Sequence, residues 1–511
     1  MSQSRYHQAA NRKRRIARRL RRRNWSDQAA PMFRASNIHY EVSGRDRGLV
    51  CGGIGAMHLL ARKTGLQEAI DTHLHLLKKH LPYHESDHVL NIAYNILSGG
   101  DCLEDLELRR NDEAYLDALG AVTIPDPTTA GDFCRRLQEP HVETLQELIN
   151  RVRQTVWRQQ PESFFEEAIL EADGTLAPTL GECKEGMDIS YNGIWGYHPL
   201  LVSLANTSEP LFLVNRSGNR PSQEGAAERF DQAIDLCREA GFLRILLRGD
   251  TAFSLTRQFD GWDEKGVRFI FGMDAMPKLM KRAKKLPELR WTRLHRPLKY
   301  RVRTEPRSRP ERVKEQIVRE REFENIRLRS EDVAWFPYRP RACRKAYRVV
   351  VVRKNLSVEK GENVLFDDVR YFFYITNDWQ SSADEIIFLA NDRCNQENLI
   401  EQLKNGVQAM RMPVDNLVSN WAYMVMAALA WSMKAWFALL LPERGRWAEK
   451  YRVEKQTVLR MEFKKFLNTL MRMPVQIIRA GRRIVYRLLG WNPWQQLFLR
   501  GVDHLRSPLR C

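Results

Sequence analysis

The chain has 511 residues, enough for two to four domains, and its 43% hydrophobic and 28% charged residues are those of a soluble globular protein. Its 82 Lys and Arg against 63 Asp and Glu leave a formal net charge of +19, which suits a polyanionic partner. The 8 cysteines include no C-x-x-C pair, which argues against a zinc knuckle or secreted disulfide framework and for reduced thiols in a cytoplasmic protein. The basic N-terminus lacks the apolar stretch and small-residue cleavage site of a secretory signal.

Residues 1–35 read as a basic arm, with Arg12, Lys13, Arg14, Arg15, Arg18, Arg19, Arg21, Arg22 and Arg23 all preceding the first acidic residue, Asp27. Self-repulsion predicts a disordered or loosely helical segment until it meets phosphate; a solvated tail is the plainer reading. Residues 36–150 read as a helical DNA-binding domain. Leu59, Leu60, Leu66, Ile70, Leu74 and Leu76 space one amphipathic helix pair, and Val89, Leu90, Ile92, Ala93, Ile96 and Leu97 another. A Pro-Asp-Pro turn at Pro125 to Pro127 opens a further helix. Short helices joined by turns suit a helix-turn-helix reader of DNA, although most small helical bundles bind none.

Strands take over in residues 151–275. Ala168 to Ala172 ends at Asp173, and Pro199 to Ala205 and Leu211 to Asn215 flank a tight turn. A helix follows from about Gln223 to Ala240; Leu243 to Leu247 then runs into Arg248-Gly249-Asp250, and Arg268 to Met273 is the next strand. This order predicts a mixed α/β sheet. Residues 276–370 are dense in charge and β-prone at Tyr347 to Arg353, as in a β-rich insertion. Residues 371–442 return to the core with a strand at Tyr371 to Thr376 and a long helix from Ser382 to Asn405, ended by Gly406. Trp421 to Leu441 is long and apolar enough for a membrane, but Lys434 and its Trp and Met residues favour a buried core helix and no membrane. Residues 443–511 read as a basic helical region.

Asp173 and Asp250 each end a predicted strand, where open α/β sheets place their ligands. Two carboxylates at one point repel unless a cation compensates, and oxygen donors suit Mg²⁺. Either aspartate alone reads equally well as a cap on the turn that follows. On the long helix, at roughly 100° per residue, Glu397 lies about 40° from Arg393 and Lys404 about −20° from Glu397. That shared face offers one metal ligand between two phosphate-binding cations. A salt-bridged solvated face is the alternative, and Glu401, one turn on, is the competing carboxylate.

These residues sit in longer motifs: Glu171-Ala172-Asp173-Gly174-Thr175, Lys184-Glu185-Gly186 through Gly196-Tyr197-His198-Pro199-Leu200, Leu247-Arg248-Gly249-Asp250, Tyr371 to Asn377, Arg393 to Lys404, and Asn420-Trp421-Ala422-Tyr423. Through them, from about residue 45 onward, the chain resembles bacterial insertion-sequence transposases of the DDE class, in the group numbered thirteen-eighty. The resemblance implies an RNase H-like core interrupted by a β-rich insertion, with Asp173 on the first strand, Asp250 after the fourth and Glu397 on the helix after the insertion. It further implies two Mg²⁺ ions, or Mn²⁺ in their place, held by these three carboxylates. The implied partners are double-stranded DNA, as transposon ends and target, and a second copy of the chain in a homodimeric active complex on the bacterial nucleoid. Related families carry a Tyr-Arg-Glu-Lys signature; Arg393, Glu397 and Lys404 match its last three members, and Ala390 stands where its Tyr would fall. Lys184, His198 and Arg248 are weaker candidates, His198 reading more simply as a packed or hydrogen-bonded residue. A nuclease with this core that cuts without joining, and an inactive DNA-binding derivative, are the rival readings.

Overall fold

Residues 2–21, 29, 31–42, 44, 46–296, 313–361 and 363–507 are described in the computed structural model. Ser2–Arg21 is a helix, α1, and its charge does not leave it loose. Arg5 pairs with Asp503 at 2.9 Å, and Arg12 donates to the carbonyls of Leu488 and Gly490 at 2.9 and 3.0 Å. Lys13 stands 5.9 Å from the Trp491 ring, and Ala9 is buried. Of the two expectations for the arm, the helical one holds over these residues and the disordered one does not, because the C-terminal region supplies carbonyls, an acid and a ring to receive the cations. Arg22 and Arg23 lie outside the described residues.

Short helices follow at Ile54–Lys63, Leu66–His73, Glu85–Leu97, Leu106–Arg110, Glu113–Leu119 and Pro127–Arg136, then the longer α2, Glu139–Trp157. Their starts are written in the sequence. Asp112 accepts from the amides of Ala114 and Tyr115, and Asp126 accepts from Thr129 with Pro127 in the first turn.

The central sheet is built from β1 (Glu167–Gly174), β2 (Leu200–Leu204) and β3 (Glu209–Val214), then, beyond helix α3 (Ala226–Ala240), β4 (Arg244–Gly249) and β5 (Arg268–Met273). It continues through β6 (Thr292–Arg293), β7 (Glu324–Tyr338), β8 (Tyr347–Lys360) and β9 (Asn363–Thr376). The nine strands run β6-β7-β8-β9-β5-β4-β1-β2-β3. Only β1 with β4 and β4 with β5 are parallel. The β-rich segment is thus no separate sheet: β9 crosses the expected boundary at 370 and pairs Phe373 with Met273 of β5. Val349 to Val352 is a continuous buried run, as in a strand covered on both faces, so one ladder extends the core sheet sideways.

Each sheet face has its own cover. Leu246, Ile270, Val350 and Val352 meet Ile386 and Ile387 of α4 (Ala383–Asn391), while the other face carries Leu170, Leu247, Phe269, Phe271 and Phe373 into the main core. Helix α5 (Cys394–Glu401) follows a break at Asp392–Arg393, and a π turn spans Gln402–Gly406. The single helix expected from Ser382 to Asn405 is therefore two helices and a π turn, although its Ser382 cap is formed, Ser382 Oγ accepting from Glu385. Helix α6 (Leu417–Leu439) is buried at every position from Ser419 to Leu439 and packs against the N-terminal helices, the core helix its sequence suggested. Glu209 of β3 locks α2 and α6 to the sheet edge. It accepts from Arg153 Nε at 3.0 Å, Trp157 Nε1 at 3.0 Å, Trp436 Nε1 at 2.9 Å and Thr207 at 2.7 Å. The region after residue 443 is not all helix. It contains a hairpin of β10 (Val475–Ala480) and β11 (Arg483–Leu488), where Val475 and Ile477 are buried in period two.

Candidate active site

The two aspartates are brought together by strand register. Strands β1 and β4 pair in parallel, Glu171 opposite Arg248. The same sequence offset separates Asp173 from Asp250, so two residues further on they stand level at the ends of strands about 4.8 Å apart. Side chains alternate along a strand, so Glu171, Asp173, Arg248 and Asp250 share one sheet face, the face that α4 covers. Asp250 also fills the humbler role open to it: its Oδ1 accepts from the Ala252 amide at 2.9 Å.

Helix α5 brings the third group. Arg393 Nη1 lies 3.3 Å from Asp173 Oδ2, both side chains about four-fifths buried at 20% and 17% exposure. Burial pushes the Asp173 carboxyl up to about 6; the Arg393 guanidinium opposes this, and the Asp250 and Glu397 charges reinforce it. Asp173 therefore lies in the field of both other carboxylates. Glu397 and Glu401 are both exposed, and Glu401 also accepts from Asn405 Nδ2 at 2.7 Å. Lys404 sits in the π turn, so the simple helical wheel does not place it. Burial lowers its pKa, with Glu401 and then Asp173 acting to raise it, so it too stands in the field of Asp173.

The weaker candidates separate. Lys184 donates its Nζ to the Met412 carbonyl, which ties the loop before Asp188–Ile189 to the segment leading into α6. His198 donates from Nδ1 to the Arg220 carbonyl at 2.7 Å, and burial lowers its pKa. That carbonyl can only accept, so Nδ1 carries the proton. A Cβ at Gly174 would stand 2.9 Å from His198 Nε2, so glycine after Asp173 is what lets the ring pack there. Arg248 is 3% exposed and turned inward: its Nη2 stands 2.5 Å from Glu171 Oε1, and its Nη1 donates to the Leu389 carbonyl at 2.7 Å. It is a partner of protein groups. Of the arm, Lys13, Arg14, Arg15, Arg18, Arg19 and Arg21 are exposed and Arg12 is half-buried.

Sequence reasoning passed over Glu171. Burial pushes its carboxyl up to about 7 against the pull of Arg248. The signal was present, since Glu171 and Arg248 each interrupt an apolar run two residues before an aspartate.

The sequence profile described as Transposase DDE domain group 1 matches residues 32–509. The chain belongs to the DDE transposase family. A comparison with curated proteins found no match. Among solved structures, a piggyBac transposase synaptic complex with hairpin DNA is similar at 10% identity and a TM-score of 0.32, over 82% of this chain and 81% of that one, a superposition too loose to bear on mechanism. DDE transposases as a family use divalent metal ions.

Among the described residues, no group of three or more His, Cys, Asp or Glu side chains is placed to hold a metal ion. The donor set nevertheless fits a hard cation. Mg²⁺ keeps several waters and is held by one or two carboxylates plus substrate phosphate, not by a protein cage. A cationic stand-in is already present, the Arg393 guanidinium on Asp173. Beside Glu397, Gln396 is 1% exposed with neither side-chain polar atom partnered, so this turn of α5 is incompletely satisfied as it stands.

Proposed function

We propose that this DDE transposase binds the terminal inverted repeats of a bacterial insertion sequence, cuts phosphodiester bonds at the element ends and joins the freed 3′-OH ends to target DNA. The observation that carries this reading is the parallel pairing of β1 with β4, whose common register runs on toward Asp173 and Asp250, with Arg393 against Asp173 and the Asp250 and Glu397 charges acting on its carboxyl. Asp173 on the first strand and Asp250 after the fourth, in a core ordered β3-β2-β1-β4-β5, support an RNase H-like reading of the centre. Asp173, Asp250 and Glu397 would hold two divalent ions, Mg²⁺ or Mn²⁺. When bound, such ions lower the pKa of an attacking water and offset charge on the leaving 3′ oxygen.

The chain's own groups do the rest. Asp173 and Asp250 are fixed by the sheet, so the reacting phosphate is oriented by rigid strands. Arg393 and Lys404 supply cations for phosphate oxygens next to the scissile bond. Arg14, Arg15, Arg18, Arg19 and Arg21 add contacts to duplex DNA that carry no sequence information. Two ends must meet in one complex, which requires at least a homodimer working in the cytoplasm on nucleoid DNA.

The test uses the purified chain and a duplex of the sequence flanking its gene. Glu397→Gln should abolish Mg²⁺-dependent cutting while end binding stays within about twofold, and Glu401→Gln should cut at nearly the normal rate. Full cutting by Glu397→Gln with an inactive Glu401→Gln would reverse the assignment of the third carboxylate. A pre-cut end that is never joined to plasmid would favour a nuclease that lacks strand transfer.

A further inference from the structure

The two strands that lead to the aspartates and the helix that precedes Arg393 and Glu397 meet at one buried guanidinium. Arg248 belongs to β4, two residues before Asp250. Its Nη2 reaches Glu171 of β1, two residues before Asp173, at 2.5 Å. Its Nη1 reaches the carbonyl of Leu389 in α4 at 2.7 Å. The last of these contacts falls at the helix break. Helix α4 ends with the Asp392 amide on the Phe388 carbonyl, and Leu389 is the next carbonyl along. In an unbroken helix Leu389 would accept from the Arg393 amide. Here it is one of the orphan carbonyls of a helix end, and Arg248 satisfies it instead. Four residues later Arg393 lies against Asp173, and one turn beyond it stands Glu397.

We infer that Arg248 is a positioning residue of the proposed cleavage reaction: with Glu171 it clamps β1 to β4 and caps the end of α4, and so sets where Arg393 and Glu397 meet the two strand-end aspartates. Arg248 touches no reacting atom and offers no donor to DNA. Arginine suits the position because its planar fork sends donors in two fixed directions from one buried charge. Lysine would carry the charge without that span. Partners that orient metal ligands in this way typically matter by about 10- to 100-fold in metal affinity or activity.

This rests on the proposed function, and the experiment separates the two. Full-length wild type, Arg248→Lys, Arg248→Met, Glu171→Gln and Asp173→Asn are compared by end-duplex binding, single-turnover cutting across a Mn²⁺ titration, and the Mn²⁺-induced rise in melting temperature without DNA. Leu470→Ala, a buried C-terminal core change, serves as a control for lost stability. Arg248→Lys and Arg248→Met should bind end duplex normally, cut about 10- to 100-fold more slowly and need about tenfold more Mn²⁺ for half-saturation, with a smaller Mn²⁺-induced melting shift. Glu171→Gln keeps an acceptor for Arg248 and should fall between them and wild type. Leu470→Ala should lose stability without a change in Mn²⁺ half-saturation. Normal half-saturation in Arg248→Lys, or an equal change in Leu470→Ala, would overturn the inference. If Arg248→Met does not fold, Arg248→Lys and Glu171→Gln decide alone. If wild type cuts nothing, or Asp173→Asn cuts as well as wild type, the proposed function fails, and the melting shift still reports whether Arg248 governs cation binding.

Discussion

At the scale of single residues, the contact between Arg393 and Asp173 fixes the balance of charge at the site. A buried carboxyl near two others resists ionisation, and the guanidinium at 3.3 Å is what counters them. A divalent cation arriving at Asp173 must compete with that guanidinium. Arg393→Gln should therefore bind Mn²⁺ more tightly than wild type in the absence of DNA, by about fivefold, which corresponds to about 1 kcal/mol for a partly exposed pair. Cutting should nevertheless be slower, because a phosphate contact is lost. The sign with pH follows from the same charges. Without Arg393 the Asp173 carboxyl rises further above 6, so the tighter binding seen at pH 8 should fade as pH falls toward 6. Calorimetric titration at both pH values measures this. Unchanged or weaker Mn²⁺ binding at pH 8 would show that Arg393 does not compete for Asp173.

Among elements, α6 carries the clearest conflict between burial and charge. Lys434 is fully buried, its Nζ donates to the Leu459 carbonyl at 2.8 Å, and it lies 3.8 Å from the Trp431 ring. Burial pulls its pKa down to about 7, while the ring face favours the charged form. The folded chain thus binds fewer protons than the unfolded chain between about 7 and the usual 10.5, and stability should rise with pH across that window. The slope is at most about 1.4 kcal/mol per pH unit. Lys434→Met should lack this component, so its melting temperature should gain on wild type at pH 7 and lose that gain by pH 10. A constant difference between the two proteins would place the lysine in water. The same helix shows what was legible beforehand: its apolar run with one lysine already read as core. The strand-end aspartates were legible too, because their flanking apolar runs mark β1 and β4. The break at Asp392–Arg393 was not, since the helical period passes through it undisturbed and the donor that takes up the Leu389 carbonyl there, Arg248, lies 141 residues away. The hairpin after Val475 was hidden for another reason: adjacent apolar residues, Ile477-Ile478 and Ile484-Val485, break the period-two pattern.

For the molecule as a whole, a net charge of +19 acts through where its cations stand. Many are spent internally, as in Arg153 with Glu209, Arg248 with Glu171 and Arg268 with Asp378. Those on α1 are divided by the docking of the helix. Arg5 and Arg12 fasten it to the C-terminal region, and Arg14, Arg15, Arg18 and Arg19 remain exposed. A helix held in place presents its cations at fixed spacing, which costs less ordering entropy on DNA than a loose tail would. Changing these four arginines to Gln keeps helix propensity nearly constant and leaves the docking contacts intact. If all four neutralise phosphates, the slope of log affinity against log salt should flatten by about 3 to 4. End duplex and unrelated duplex should weaken together, since phosphate contacts carry no sequence information. Fluorescence anisotropy at several salt concentrations reads both quantities, with circular dichroism as a check on the helix. A loss confined to end duplex would turn α1 into a reader of sequence, and an unchanged slope would mean that DNA approaches the protein elsewhere.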